Sequence, residues 1–535
     1  MGTYFNPSNG GFRKASRDEI YVDKTGLINI LNRRLMAEKN CISVSHARRF
    51  GKSQAARMID AYYSRGCDSK ELFTGLKISE SEDFLKHLNK YNVIHLDISS
   101  FTDDYTDNVV NEIRRHIFNE FKELYPDIDY NNSTAWILKK VYDKTEEIID
   151  GKSVKCPFVI IVDEWDCIVR NFSDNSALVH EYLQFLHSLF KSEESQEFLA
   201  LGYITGILPI KKIKDESALN NFLEYTMIDS GELTEYFGFT EKEVEMLCEK
   251  YGINTDSVKE WYNGYLIDEK HMYNPNSVYT AMMRHKLDSY WKNTSAFDTI
   301  NTFITLNFDG LKKDVMTMLE GGKVSVITDK FQNDLSVINS RDDALTALIH
   351  LGYLGYDNKR RKAFIPNFEV ATAFHLALET GKWSDIADTL TRCDEILWAT
   401  IDGESDKVAE LLELSHETYT SILKYNDENA LSCAITMAYF TAPAYYTVIR
   451  ELPTGKGFAD IALIPRADSG NKPAMIIELK WDKNADTAIR QIKEKRYTGK
   501  LKGYGKEILL VGVNYDKESR KHECVIERWD DESTH

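Results

Sequence analysis

Phe158-Val159-Ile160-Ile161-Val162 is apolar at every position, introduced by Pro157 and ended by Asp163-Glu164-Trp165-Asp166. A strand with one wet face alternates polar and apolar side chains, so a run apolar throughout is buried on both faces, as in a parallel sheet covered by helices. An acidic pair at the C-terminal end of such a strand suits nucleotide hydrolysis. Asp163 would hold a Mg²⁺ shell and Glu164 would orient the attacking water.

A second element supplies the phosphate end of that chemistry. Cys41-Ile42-Ser43-Val44 reads as a strand, 54–63 as a helix, and Arg48-Arg49-Phe50-Gly51-Lys52-Ser53 joins them. Phosphates bind where backbone N–H groups converge at a helix N-terminus, with a lysine for the β/γ oxygens and a hydroxyl for Mg²⁺. Gly51, Lys52 and Ser53 supply these parts in order, Arg49 and Phe50 belong to the same nucleotide-binding loop, and Ser53 with Asp163 forms the metal-holding pair for ATP and Mg²⁺. The first glycine position of such loops holds His46 here.

Strand patterns at 41–45, 93–98, 158–163 and 198–205 alternate with helical patterns at 52–64, 105–124, 135–150 and 175–192. This is a βαβ series. One strand lies in sequence between the phosphate loop and the acidic strand, which allows an added sheet strand between them, as in the additional-strand ATPase branch of P-loop NTPases. Thr205 then reads either as a sensor touching the γ-phosphate or attacking water, or as a strand-end hydroxyl satisfying backbone groups.

Length bounds the rest: 535 residues suffice for roughly two to four domains. No run of eighteen or more apolar residues exists and the N-terminus lacks secretory features, so a cytoplasmic protein without membrane attachment is expected. Eight scattered cysteines include no close C-x-x-C pair, which points to buried thiols rather than zinc or disulfides. A net charge of −18 excludes a chain that coats nucleic acid with its whole surface. One window departs from this balance: 480–507 holds nine Lys or Arg against four acids, either a solvated amphipathic helix or a local basic groove. Between 234 and 380 the pattern is mostly helical. Thr240 with Glu243 reads as a capping box, and the aromatics around Asn263-Gly264 and Asn274-Pro275 read as core packing beside turns. The expected division is an ATPase core over 1–235, a middle or lid domain over 236–390 and a third domain over 391–535.

The last third holds a second constellation, Asp460 near the start of one strand pattern (457–464) and Glu478-Leu479-Lys480 ending another (474–480). Residues two apart on a strand share a face, so Glu478 and Lys480 point together while Ile477 and Leu479 point into the core. With Asp460 on a paired strand, two carboxylates and a lysine hold a divalent cation and stabilise charge on phosphorus, as a metal-dependent phosphodiesterase requires. Glu428 opens a helical run upstream and offers a third carboxylate. Gln491, with Tyr497 after it, would meet DNA backbone beside the metal.

With these residues the chain resembles the bacterial predicted AAA-ATPase-like proteins that carry a C-terminal PD-(D/E)XK nuclease-like domain. Matching elements include Tyr21-Val22-Asp23-Lys24-Thr25, Arg48 to Ser53, Asp163 to Asp166, Thr205-Gly206-Ile207, Trp261 to Tyr265, Tyr273 to Ser277, and the Asp460, Glu478, Lys480 and Gln491 set. The resemblance implies an AAA-like P-loop ATPase fused to a restriction-endonuclease-like α/β domain, the latter over 391–535. It departs from the family at Ala47, where a proline commonly precedes the arginine pair, and at Phe458-Ala459, where an arginine often precedes the aspartate.

The resulting expectation is an ATP-binding and ATP-hydrolysing protein joined to a Mg²⁺-dependent nuclease-like domain acting on DNA. Its catalytic residues are Glu164, Glu428, Asp460, Glu478, Lys480 and Gln491; its nucleotide-binding residues are Arg49, Phe50, Gly51, Lys52, Ser53, Asp163 and Thr205. Metal ligands are Ser53, Asp163, Asp460 and Glu478, and self-association into a homo-oligomer is open. The alternative is a nucleotide-gated switch whose C-terminal domain binds nucleic acid or protein without cutting. Lys211 and Lys212 are poor substitutes for an arginine finger.

Overall fold

The computed structural model describes residues 2–102, 108–149, 152–210, 219–290, 300, 308, 310–319, 321–329, 331, 338–380, 384–420, 431, 435, 438, 439, 442, 445–453, 458–465, 472–495 and 507–529. Two compact units emerge: one comprises 1–255, 262–286 and 325–366, the other 256–261, 287–324 and 367–535. The middle stretch of the chain contributes to both.

The first unit is built on β1 (Cys41–Ser45), β2 (Asn92–Asp97), β5 (Phe158–Asp163), β6 (Leu199–Gly206) and β7 (Leu223–Thr226), in the order β2-β5-β6-β1-β7 and parallel throughout. Alternation explains why β5 is apolar at every position. Phe158, Ile160 and Val162 face a core shared with helices α2 (Val109–Leu124), α3 (Thr134–Lys144) and α5 (Ser176–Phe190), while Val159 and Ile161 face one shared with α1 (Lys52–Tyr63). Neither face is wet.

The strand between β1 and β5 is β6, the fourth of the expected series, and β2 lies on the outer side of β5. The additional-strand arrangement is therefore present, but the inserted strand is not the one lying between them in sequence. The helix expected over 135–150 stops at Lys144, and a hairpin of β3 (Glu146–Ile149) and β4 (Lys152–Lys155) follows. β-branched Ile148 and Ile149 favour strand over helix there. The fifth strand, β7, is short and half-buried at the sheet edge, so it carries no strong periodic signal.

Within the middle stretch, the capping box of Thr240 and Glu243 is formed, and Tyr262, Tyr265 and Tyr273 are buried. Short antiparallel ladders accompany the helices, with Lys270–Tyr273 paired to Tyr265–Ile267 and to Phe239–Thr240, and Gly355–Asp357 paired to Lys362–Phe364. Asp268 and Glu269, at φ +46° and +68°, turn the chain between Tyr265–Ile267 and Lys270–Tyr273.

The second unit carries a sheet of β8 (Tyr446–Pro453), β9 (Phe458–Pro465), β10 (Ala474–Trp481), β11 (Ile508–Asp516) and β12 (Lys521–Arg528), in chain order. Only β10 and β11 run parallel, joined across helix α8 (Ala485–Glu494). One face packs Ile477, Leu479, Val511 and Val513 against helices α6 (Ser384–Asp402) and α7 (Ser405–Thr420). The other packs Ile476 and Leu510 against Ile489 and Ile492 of α8. Among the described residues no helix is long and apolar enough to cross a membrane.

Candidate functional sites

The register aligns the C-terminal ends of the central strands: Asp97 lies beside Asp163, Asp163 beside Thr205, and Gly206 beside Ser45. From that edge the chain enters the loop. His46 N–H donates to Gly206 O at 3.1 Å. Arg49, at φ +69°, and Gly51, at φ +89°, turn the backbone through the left-handed region. Helix α1 then starts at Lys52 with no side-chain cap, an arrangement suited to an anion at its N-terminus.

His46 does not face the cavity side of the loop. Its Nε2 lies 2.6 Å from Ser230 Oγ, its ring packs against Phe237 at 5.1 Å, and burial pushes its pKa down to about 3, so the imidazole is neutral. Phe50 is likewise a packing residue through its ring, set edge-on to Tyr265 at 5.1 Å. Gly238 N–H donates to Phe50 O at 3.0 Å. Arg49 is exposed.

The Lys52 side chain is 4% exposed and its Nζ donates to Ala47 O at 3.0 Å. Burial lowers its pKa, and the carboxylates of Glu164, Asp163 and Asp166 oppose that shift. Asp163 accepts a hydrogen bond from Ser53; burial pushes its carboxyl up, Ser53 pulls it down and neighbouring Asp97 adds to the rise. A hydroxyl and a carboxylate already in contact fit the hard-ligand set of Mg²⁺, with water completing the shell.

Glu164 follows at φ +51°, outside the extended region, and burial raises its carboxyl pKa against the pull of Lys52. Its Oε2 accepts from Arg170 Nη2 at 3.1 Å, and Arg170 Nε donates to Asp166 Oδ2 at 2.7 Å. Asp166 is fully buried and accepts from the N–H groups of Ile207 and Leu208 as well. A side chain at Gly206 would run into the Asp166 carboxylate and the Trp165 ring, which accounts for glycine after Thr205. Thr205 is buried, and its hydroxyl has no hydrogen-bond partner, so it satisfies no backbone group.

A cavity of about 800 Å³ opens over these groups, lined by Arg49, Phe50, Gly51, Lys52, Ser53, Glu164 and Arg170. Sequence reasoning missed its other wall: Phe12, Ile20, Tyr21, Val22, Tyr236 and Phe239 line it too, as does Asp97. Asp97 had a signal available, since it ends a strand as Asp163 does. The apolar wall had little, because its residues come from separate stretches brought together only by the fold.

In the second unit, Glu478 and Lys480 project to the α8 side of β10, but neither faces solvent: they are 1% and 6% exposed. Lys480 Nζ donates to Glu478 Oε1 at 3.0 Å and to Leu479 O at 2.9 Å, and Gln491 of α8 donates to the same Glu478 oxygen. Asp460 Oδ2 accepts from Leu479 N–H at 2.7 Å. Extending the antiparallel register of Ile461 with Ile477 by one step places Asp460 opposite Glu478. Asp460, Glu478, Lys480 and Gln491 are thus brought together. Glu428, Lys211, Lys212, Tyr497 and 496–506 of the basic window lie outside the described residues.

Glu478 Oε2 is buried without a hydrogen-bond partner, an atom that a cation would satisfy. Among the described residues no cluster of three or more His, Cys, Asp or Glu is disposed to hold a metal, so Asp460 and Glu478 supply a two-carboxylate set. Burial first, and Asp460 second, push the Glu478 pKa from 4.5 up to about 7, with Lys480 opposing. Between those values the folded chain keeps a proton the unfolded chain has lost. Without added divalent cation, stability should therefore fall as pH rises from 4.5 to about 7. Thermal melts should show this slope in the wild type and a flatter one in Glu478→Gln; equal slopes would contradict it.

The strand order, the loop before α1 and the acidic end of β5 define a P-loop ATPase-like core, and the mixed sheet with Asp460, Glu478 and Lys480 defines a nuclease-like one. Residues 12–214 match the family model of the predicted AAA-ATPases and residues 426–525 that of the PD-(D/E)XK nuclease superfamily. The chain joins an AAA-ATPase-like domain to a PD-(D/E)XK nuclease-like domain. It is similar to an uncharacterized protein in the vnfD 5′ region of Azotobacter chroococcum mcd 1, 22% identical over 528 residues and covering 94% of each chain. Among solved structures it matches the replication initiator DnaA bound to AMPPCP and single-stranded DNA, at 10% identity and TM-score 0.28, over 77% of this chain and 97% of that one. The Aeropyrum pernix ORC2 protein, in ADPNP-ADP complexes, matches at 12% identity and TM-score 0.26, over 70% and 100%. The fold assignment rests on strand order and the family matches, not on these two.

Proposed function

We propose that the protein binds and hydrolyses ATP with Mg²⁺ and that its C-terminal domain is a Mg²⁺-dependent nuclease acting on DNA. The observation that carries the first half is the convergence of buried Lys52, Ser53 and Glu164 on one cavity, with Asp163 bonded to Ser53 directly behind it. Lys52 meets the β/γ-phosphates, the uncapped start of α1 faces the phosphate oxygens, and Glu164 orients water. Mg²⁺ bound by Ser53 and Asp163 would offset the phosphate charge. Thr205, at the end of β6 beside Asp163, is proposed as a sensor through its unpartnered hydroxyl.

The second half is supported by the enclosed Asp460, Glu478 and Lys480 group, where low solvent access strengthens charge interactions. Lys480 would meet charge developing on the phosphodiester, while the basic stretch from Lys480 onward would meet DNA backbone. A switch reading competes, in which the C-terminal domain binds without cutting. The low exposure of Glu478 and Lys480 favours it, and a single-turnover cleavage assay with and without Mg²⁺ separates the two.

Lys52→Ala tests the nucleotide site. It removes the point charge on the phosphates, so calorimetry should show ATP affinity falling at least tenfold, about 1.4 kcal/mol. Equal affinity in the variant and wild type would remove the basis for the site.

A further inference from the structure

Lys24 joins two stretches of chain that the phosphate chemistry does not use. Its Nζ donates to both carboxylate oxygens of Glu243, at 2.9 and 2.7 Å, and to Glu235 O at 2.6 Å. Glu243 meanwhile accepts from Thr240 N–H at 2.8 Å, closing the capping box of the helix Glu241–Tyr251. One carboxylate therefore starts that helix and fastens it to the segment before Thr25. Both partner stretches border the cavity: Ile20, Tyr21, Val22 and Lys24 line it from the first, Tyr236, Gly238 and Phe239 from the second. The phosphate end is lined separately, by Lys52 and Ser53 of α1 and by Arg170 of the short helix α4 (Cys167–Asn171).

We propose that Lys24 and Glu243 are the clasp of the apolar wall, holding its two stretches together around the nucleobase of a bound nucleotide and so setting how long the nucleotide stays. The inference rests on the ATP-binding reading and deepens it, by assigning residence time to a pair outside the phosphate loop. Three features support the assignment. The ammonium has three donors and three acceptors in place, so it acts through the wall as a positioning residue. The Lys24 and Glu243 side chains are 17% and 18% exposed, and burial lowers the Lys24 pKa against the opposing pull of Glu243. Losing one partner of a shielded pair leaves the other charge uncompensated, which is costly. The neighbouring bonds between the same parts of the chain are weaker: Tyr279 Oη donates to Asp18 Oδ1 at 2.9 Å and Lys250 Nζ to Glu19 O at 3.3 Å, but Asp18 and Glu19 are exposed and water competes there.

Glu243→Gln separates the clasp from the cap, because glutamine still accepts from Thr240 N–H in a capping box but carries no charge for Lys24. Lys24→Met keeps the stem of the side chain and removes the ammonium. In the full chain with Mg²⁺, stopped-flow release of N-methylanthraniloyl-ATP should quicken at least about fivefold in each variant. The double variant should release no faster than the faster single one, since both substitutions remove one interaction. Release of the corresponding ADP analogue should quicken by the same factor, because the clasp acts at the nucleobase, whereas Lys52→Ala should affect the ATP analogue more. Lys24→Arg keeps a cation on Glu243 and should stay within about twofold of the wild type. A pair that only supported the fold would lower the melting temperature and leave release unchanged. Unchanged release in both single variants, additive effects in the double variant, or a change confined to the ATP analogue overturns the clasp while nucleotide binding itself stands. If the wild type binds neither analogue, the ATP reading falls and the clasp with it.

Discussion

Glu164→Gln is expected to bind Mg-ATP as tightly as the wild type and to hydrolyse it at least about a hundredfold more slowly. The amide preserves the shape of the carboxylate at the end of β5 and can still accept from Arg170, so folding and the cavity should be unaffected. It loses the charge that orients and polarises water. Calorimetry on the variant and phosphate release under saturating ATP separate the two effects: binding retained with turnover lost assigns Glu164 to the chemical step. Unchanged turnover would mean that another group orients the water. Of the remaining acids lining the cavity, Asp97 would be the next to test, because it ends β2 directly beside Asp163.

The second large effect belongs to the C-terminal site. Lys480→Ala should lower the rate of Mg²⁺- or Mn²⁺-dependent DNA cleavage by about a hundredfold or more while changing DNA affinity little, because its contact would strengthen as charge develops in the transition state. Charge reversal at Lys493 and Lys495 should do the reverse, weakening DNA binding in a salt-dependent manner. Lys493 now pairs with Glu527 across to β12, so its reversal also breaks a surface ion pair of small energetic weight. Single-turnover cleavage and binding at two salt concentrations read these separately. A cleavage rate unaffected by Lys480→Ala would remove the lysine from the chemistry. No cleavage by the wild type with either metal would make the domain a binding module derived from a nuclease fold.

The strand edges that carry the chemistry were the most legible part of the chain. Phe158 to Asp163 announced a doubly buried strand through composition alone, and its observed bounds are the expected ones. Gly51-Lys52-Ser53 announced the loop because phosphate binding needs those groups consecutively. Glu478 and Lys480 were placed on one face by their spacing, yet their burial was not legible, since it comes from α8 closing over β10. Pairing order was invisible for a similar reason: nothing local to 92–97 or 199–206 says which of them will lie between β1 and β5. The Arg170 contact also escaped notice. Arginine four residues after an aspartate is ordinary on a helix, and only the turn made by Glu164 at φ +51° brings the other carboxylate to the same guanidinium.

His46 shows how a loop can leave its consensus without leaving its task. The position is a glycine in the standard pattern, where the absence of a side chain lets the backbone curl. In this chain the imidazole points backward into a socket formed with Ser230 and Phe237, and behaves as a keystone for the arch above it. Because it stays uncharged down to about pH 3, it adds no competing positive field behind Lys52. Restoring the consensus glycine would exchange that keystone for a void and a looser arch. For this protein the archetypal motif is a worse blueprint than its own deviation, because the socket beside Ser230 and Phe237 is shaped for an imidazole.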